Sequence, residues 1–550
     1  TSIMSLLTPK IKAHKTTALE NAAVLITLTL VTMLYAMSVT IANVSLPQIK
    51  GALSATTDEI ALIVTFSIIA TAVGTPMTGW LTARFGRRNV LIWSVFGFTV
   101  SSFLCGTASS LEELVLYRIL QGACGAPLPP LSQAIVVDTY PKEQIGSANA
   151  IFGMGVVLGP ILAPTIGGYL SEEHSWRWVF FMMVPCGIVS LIGVLVFIRK
   201  QGSFNKLYLD WTGFLSLAIA IAAFQFMLDR GERLDWFDNW VITGSAITAV
   251  LCLYIFVSHS LTSERPFLNP KLLLKRNYAL GLLFVFIFGL LNFTPITLLP
   301  ALLQTLHGYP DSVIGLILGI RGTGTLLGFT FMFLGGSKID PRYTMFAGFF
   351  LQGISGWYMA QFSINLTMFD VLWTSWLQGL GVGMIWVPLT IVTFSQLDET
   401  ETAEGASIFH LVRNFGSSIF ISISIAIMTR TGRMNYSTIA QNVNPLNEAF
   451  TFQDSLFETW SIDGLQRLST LSEEIERQAI MIGYLNAFYA FSLFILQILR
   501  DIVSSLSPTV RRATLSLRCW EYAGSRVLSP IHSCHARGDP LEPLWTYMYY

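Results

Sequence analysis

Fourteen stretches of about 20 apolar residues each constrain this chain more than any other feature. They lie at about 22–46, 58–80, 89–108, 111–137, 145–169, 178–199, 210–228, 239–259, 277–305, 312–334, 342–362, 368–394, 403–428 and 479–500. A helix of that length crosses the roughly 30 Å hydrocarbon layer of a bilayer. Backbone polar groups find no water there, so only helices and closed barrels are viable, and a barrel would show short alternating segments instead. Charged residues make up 12% of the sequence, about half of what a soluble domain carries. The expected fold class is an all-α membrane protein with fourteen transmembrane helices. No cleavable signal sequence is evident, so the first span is expected to stay as an anchor.

Basic residues in short loops predict the orientation. With the N-terminus placed in the cytoplasm, sixteen Lys and Arg fall on the inner side, and only Lys50, Arg177, Arg230 and Arg233 fall in short outer loops. Both termini are then cytoplasmic. One long outer loop, 429–478, contains "LQRLSTLSEEIERQAI", whose apolar spacing predicts an amphipathic helix outside the membrane, read either as a connector or as a partner surface. The tail 505–550 has no periodicity and carries no expected function. Its cluster His532, Cys534 and His535 fits no zinc spacing, and Cys105, Cys124, Cys186 and Cys252 read as small apolar packers, so no metal is expected.

The stretch "GMGVVLGPILAPTIGGYL", residues 153–170, places helix breakers in the most apolar company. Small residues recur at Gly155, Gly159, Ala163 and Gly167, one helical face on which a neighbouring backbone can lie close. Pro160 and Pro164 are expected to bend the helix around that face, and Gly168 extends the small-residue run. The two halves of the chain also echo each other. "LQGACGAPLPPL" from Leu120 in span four matches "LQGLGVGMIWVPL" from Leu377 in span twelve. Six spans, two extra and six more account for fourteen, and paired repeats around a midplane site are a transporter architecture. The expected division is 1–21 as N-terminal segment, 22–200 and 271–504 as six-helix bundles, and 201–270 as two linker helices.

Five motifs in order resemble those of the major facilitator superfamily, in particular its fourteen-span drug:proton antiporters of the EmrB/QacA type. They are "TIANVSLPQI" in span one, "GWLTARFGRRNVL" between spans two and three, "LVLYRILQGACGA" in span four, the glycine-rich stretch in span five and "SWRWVFFMMVPCGI" at span six. The resemblance covers about residues 20–500. It implies a major facilitator fold, alternating access and proton-coupled efflux of hydrophobic or amphipathic drugs across a bacterial inner membrane, without a cofactor. In a Gram-negative cell it also implies a periplasmic adaptor (EmrA-like) and an outer-membrane channel. Three positions depart from the pattern: Ser38 stands where family members carry a span-one Asp, Ala83 where many carry Asp, and Met183 where span six carries Asn.

A charge within a span needs a reason, because it costs at least about 2.5 kcal/mol at the centre of the membrane. Arg118, Arg321 and Arg413 qualify, and no Asp or Glu lies near the centre of any span. The resemblance places Arg118 beside the proton route, although a structural cation satisfied by carbonyls is the alternative. His410 lies one turn before Arg413 and can exchange a proton at cellular pH, although a satisfied core histidine is the commoner reading. Asp138 and Glu404 lie near inner ends and are further proton-coupling candidates, and Asp370 lies near an outer end. Gly79, Arg84, Gly86, Arg87 and Arg88 form the expected inner gate with Asp138, anchoring of basic residues being the alternative. Cavity candidates are Ser38, Asn43, Phe66, Gln121, Asn292, Phe409 and His410. A site without a midplane carboxylate should not prefer permanently cationic drugs. The chain has no phosphate-binding loop and no metal-hydrolase motif, so an ion gradient is the expected energy source and no enzymatic activity or nucleic-acid partner is expected. Export of a specific metabolite or siderophore, and a non-transporting membrane sensor, remain as alternatives.

Overall fold

The computed structural model describes residues 18–141, 143–199, 208–263, 266–441, 443 and 465–505. Within these, the side chains of 41–47, 57–58, 61, 164–165, 172, 311–312, 337, 399–400, 465–468 and 500–505 are not described. Residues up to Ile495 form one compact unit and 496–550 a second. The tail from 506 onward, with its His532, Cys534 and His535, lies outside the described residues, as does the N-terminal segment before 18.

Every regular element among the described residues is helical. In chain order these are α1 (Ala18–Ala52), α2 (Thr57–Phe85), α3 (Arg87–Thr107), α4 (Leu111–Gly125), α5 (Leu128–Thr139), α6 (Ile145–Glu173), α7 (Trp176–Phe181), α8 (Met183–Phe197), α9 (Trp211–Arg230), α10 (Trp240–Thr262), α11 (Arg276–His307), α12 (Asp311–Leu334), α13 (Pro341–Met359), α14 (Met368–Phe394), α15 (Glu399–Gln441) and α16 (Leu465–Ser505), with four short 3-10 turns between them. Twelve segments among the described residues are long and apolar enough to cross a membrane. The other two expected spans are the broken pair α4–α5 and the 19-residue α13.

Local chemistry sets these boundaries. Capping boxes open α2 at Thr56 with Glu59, and α14 at Thr367 with Asp370, satisfying backbone N–H groups that a helix start leaves free. Ser110, Asn239 and Asp340 cap α4, α10 and α13. Hydroxyls inside the spans fold back on their own helices, as Thr27 does on the Ala23 carbonyl and Thr294 on that of Leu290, both at 2.8 Å. The turn between α2 and α3 needs a glycine: Gly86 sits at φ 82°, where a side chain would be strained.

Three sequence expectations need correction. Span four is two helices, because Pro127, Pro129 and Pro130 remove the N–H groups that would carry a helix through Ala126. Span six likewise breaks at Met182, where Pro185 cannot donate back to the carbonyl of Phe181. The described residues of the outer loop expected at 429–478 are helical apart from 443: α15 continues from the span to Gln441, and "LQRLSTLSEEIERQAI" is the start of α16 rather than a separate amphipathic element. At 1.5 Å per residue each of these helices is roughly 60 Å long, about twice the hydrocarbon thickness. Beyond the apolar part they pack on each other, with the Tyr436 and Ser472 hydroxyls 3.2 Å apart.

The apolar core divides along the sequence halves. Leu28, Leu34, Val95, Phe98, Leu131 and Phe180 belong to a cluster built by the first six spans. Leu298, Leu302, Met359, Val371 and Phe488 belong to one built by the last six. A small third cluster joins α9 to α2 and α15 through Ala72, Leu217, Ile221 and Leu411. The linker helices α9 and α10 are tied at one end by Asp210. Its carboxylate accepts from the Gly213 N–H, the Phe267 N–H and His259 Nε2 at 2.9–3.1 Å.

Candidate transport site and gates

The echo between the halves is geometric as well as sequential. In α4, the glycine after Gln121 lets α2 lie so close that a Cβ on Gly122 would strike the Ser67 carbonyl oxygen. In α14, the glycine after Gln378 admits α12 the same way, at the Arg321 carbonyl oxygen. Four residues on, Thr71 and Thr325 stand against those same glycines at 3.1 and 3.0 Å. The hydroxyls of Thr71 and Thr325 donate to the Ser67 and Arg321 carbonyls. Arg321 is therefore the repeat counterpart of Ser67, and Ser375 that of Arg118.

Each glutamine holds an arginine, Arg118 buried and Arg321 partly buried. Arg118, 3% exposed, donates from Nη1 to Gln121 Oε1 at 2.5 Å, and Gln121 Nε2 donates to Ser102 Oγ at 2.7 Å. The Arg118 Nε has no hydrogen-bond partner, and its guanidinium lies over Phe180 at 5.9 Å. Arg321 donates from Nε to Gln378 Oε1 at 2.5 Å and from Nη2 to Asn292 Oδ1 at 2.7 Å, so it joins α11, α12 and α14. A third arginine, Arg413 on α15, donates to the neighbouring Asn414 side chain and lies over Phe293 and Trp386 at 5.9 and 5.7 Å.

His410 departs from the commoner expectation of a satisfied core histidine. It is 4% exposed, packs against Phe409 and Trp386 at centroid distances of 5.6 and 6.2 Å, and neither ring nitrogen has a hydrogen-bond partner. Other cavity candidates scatter. Ser38 Oγ is buried and committed to the Tyr35 carbonyl at 2.7 Å, and Gln121 is committed to Arg118. Phe409 is fully buried against Phe394 and Trp386. Phe66 is half-buried, and Asn292 holds Arg321. The side chains of Asn43 and Pro164 lie outside those described. Sequence reading passed over the Arg321 partnership, for which the repeated Leu-Gln-Gly was the available signal.

The glycines of α6 serve two neighbours. A Cβ on Gly155 would strike the Thr29 side chain of α1, and one on Gly159 would come within 2.8 Å of the Met33 carbonyl oxygen. Gly153, turned to the other side, faces the Phe329 ring of α12. Ala163 and Gly167 are buried, while a Cβ on Gly168 would meet nothing within 4 Å. The helix runs unbroken through Pro160 and Pro164, so the expected bend does not interrupt it.

The first six and last six spans meet at the end of the bundle that carries Arg84, Arg87 and Arg88. Gly79 of α2 abuts the Glu404 Cα of α15 at 3.2 Å from a built Cβ, and Glu404 Oε1 accepts from the Asn269 N–H at 2.6 Å. Arg87 forms an ion pair with Asp138. Arg88 instead donates to the Leu195 carbonyl at 2.7 Å, and Arg84 lies over the rings of Trp80 and Phe85. At the same end, Glu401 pairs with Lys275 and accepts from the Asp398 N–H at 3.2 Å, a rim contact. Deeper lies a neutral, fully buried chain: Gln133 Nε2 donates to Asn149 Oδ1 at 2.8 Å, and Asn149 Nδ2 donates to Thr390 Oγ1 at 3.2 Å. Asn149→Ala removes the one bond of this chain that crosses between the halves, to Thr390, worth about 1 kcal/mol. The seam should then open roughly fivefold more often. The check is the alkylation rate of Ser132→Cys in a background without the native cysteines; an unchanged rate would show that this bond does not hold the seam.

With helices, repeats and seam in place, comparison with known proteins defines the class. The profile of the Major Facilitator Superfamily matches residues 28–421, and the chain belongs to that superfamily. The Multidrug export protein EmrB of Haemophilus influenzae is 32% identical over 476 residues, covering 85% of this chain and 93% of that protein. The Multidrug export protein EmrB of Escherichia coli strain K12 is 30% identical over 466 residues, covering 84% and 91%. Among solved structures, the proton:xylose symporter XylE aligns with a TM-score of 0.54 at 14% identity, covering 87% of this chain and 96% of that one. That likeness is one of fold. The chain is a multi-pass membrane protein with bacterial relatives.

Proposed function

We propose that this chain exports hydrophobic and amphipathic drugs across a bacterial inner membrane by alternating access, driven by protons. The observation that carries the reading is near-full-length similarity to two multidrug export proteins, on a chain whose motif-bearing helices α2 and α6 pack across the seam against α15 and α12. The basic loops put both termini and the packed seam on the cytoplasmic side. The described conformer is then closed toward the cytoplasm, with Arg87–Asp138 and the Gln133–Asn149–Thr390 chain as its inner latch. Gly79 against Glu404 of α15 and Gly153 against Phe329 of α12 are the close contacts between the halves as they rock, as bundles 22–200 and 271–504. In a Gram-negative cell, an EmrA-like periplasmic adaptor and an outer-membrane channel would receive the drug, and the helical extensions of α15 and α16 are the outer surface on offer to it.

Without an acid at Ser38, the proton needs another carrier. His410 is the proposed one: it is buried, lacks hydrogen-bond partners and lies one turn from Arg413, so its charge state responds strongly to what enters beside it. Arg118 and Arg413 flank the route as fixed charges, with Asp138 committed to the latch and Glu404 to Asn269. His410→Ala is expected to leave drug binding within about twofold while abolishing the response of efflux to an imposed pH gradient, a loss on the order of 100-fold or more for a proton-transfer group. Efflux from proteoliposomes with and without the gradient decides it. Gradient-driven efflux equal to wild type would remove His410 from the mechanism. No drug efflux in either protein would overturn the export reading itself.

A further inference from the structure

The linker helix α9 stands in the seam between the halves. At the inner end α2 and α15 meet directly, where a Cβ on Gly79 would lie 3.2 Å from the Glu404 Cα. Further out, each of them bonds to α9. Roughly 20 Å along α2 from Gly79, the Thr65 hydroxyl donates to the Asp229 carboxylate of α9. On α15, Ser422 Oγ donates to the Leu228 carbonyl of α9 at 2.5 Å. Thr65, Leu228 and Ser422 are buried. The two halves thus bond to consecutive residues of one linker helix.

The two attachments differ in kind. Three contacts hold α9 to the second half, at its foot, middle and top. At the foot, Asp210 accepts from the Phe267 N–H at 3.1 Å, and the Asn269 N–H of the same segment donates to Glu404 of α15 at 2.6 Å. In the middle the Phe224 and Phe415 rings lie 5.7 Å apart, and at the top Leu228 meets Ser422. Toward the first half, Leu217 and Ile221 pack on Ala72, with Val73 beside them, an apolar surface over which a helix can slide. The charge-assisted bond from Thr65 to Asp229 fixes the register on that surface.

We propose that α9 is a wedge carried by the second half, and that Asp229 is the positioning residue that seats it against the first half through Thr65 and so holds the outer side of the seam apart. This role rests on the reading of the conformer as closed toward the cytoplasm. Opening inward brings the outer parts of α2 and α15 together. The Thr65–Asp229 bond then breaks, and α9 slides over Ala72 and Val73 while it stays with α15. The linker is a moving part of the cycle, and its seat sets how often the inner side opens.

The test uses purified full-length protein in nanodiscs, with Ser132→Cys as the inner probe in a background without the native cysteines and alkylation read site by site by mass spectrometry. Thr65→Val should raise the Ser132→Cys rate about tenfold or more, the worth of a bond to a charged group. Thr65→Ser keeps the hydroxyl and should stay near wild type, and Asp229→Asn, a neutral acceptor, should fall between. A disulfide joining Thr65→Cys to Asp229→Cys should lower the probe rate about tenfold or more below that of its reduced form, by the same bond worth. Phe224→Cys and Phe415→Cys bridged by a short bis-maleimide should leave the rate unchanged, because that contact travels as one body. An unchanged rate in Thr65→Val would overturn the wedge, as would equal rates in the oxidised and reduced 65–229 pair. A 224–415 bridge that slows the probe as much as the 65–229 disulfide would overturn the assignment of α9 to the second half. Alkylation in the parent as fast as in denatured protein would remove the closed reading and the wedge with it. None of these rates needs a drug, so an absence of drug efflux would overturn the export reading alone.

Discussion

Arg118→Ala should insert, express and fail to transport, with efflux falling on the order of 100-fold. Its guanidinium makes a charge-assisted bond to Gln121, which in turn anchors on Ser102 of α3. Bonds of this kind are worth about 1.5–3 kcal/mol, and 2.7 kcal/mol in a barrier is about a hundredfold in rate. Arg118→Lys separates charge from shape. Lysine keeps the positive charge but offers a point donor in place of a planar fork, and it loses the stacking over Phe180. Lys should therefore recover less than about a tenth of the wild-type rate, by the same arithmetic. Membrane-fraction abundance and drug efflux, measured together, decide the matter. Normal abundance with normal efflux in both variants would reduce Arg118 to a bystander.

Gly159→Leu should give a protein that reaches the membrane and stalls. At this position a Cβ alone would come within 2.8 Å of the Met33 carbonyl oxygen and within 3.2 Å of the Met37 side chain. A leucine adds three more carbons against backbone that cannot retreat without moving α1. Overpacking of this kind costs about 1–3 kcal/mol in a packed core, and it falls hardest on the conformer in which α1 and α6 lie closest. Gly168→Leu is the internal control, since its Cβ has open space. The expected result is turnover reduced at least about fivefold for Gly159→Leu, from the lower end of that cost, with Gly168→Leu near wild type. Reconstituted turnover of both variants checks it, and equal activity would mean that the α1–α6 contact does not move.

Apolar length made the spans legible, because a bilayer imposes a length that sequence counts can match. What hydropathy could not show is where a helix continues after leaving lipid. At α15 and α16 the apolar run ends near 428 and begins near 479, but the backbone stays helical to Gln441 and from Leu465, because two antiparallel helices shield each other once lipid no longer does. The breaks in spans four and six were written in Pro127, Pro129, Pro130 and Pro185, and the apolar count hid them. Within the site, the intramembrane arginines stood out by cost alone. Their partners did not, since Asn292, Gln378 and Arg321 come from three helices and no sequence window contains them. His410 and Arg413 were readable as neighbours one turn apart, but only packing shows that the imidazole has nothing to bond.

The repeat-related glutamines carry a mechanical asymmetry. In the first half the arginine and its glutamine ride on the same helix, and the glutamine's bond to Ser102 ties the pair to α3 alone. In the second half the arginine belongs to α12 and its glutamine to α14, with Asn292 of α11 as a third post, so the same bond acts as a crossbar between helices. The repeated glutamine thus ties two helices in the first half, α4 and α3, and takes part in a knot of three in the second, α11, α12 and α14, so equivalent positions of the repeat carry unequal numbers of tethers.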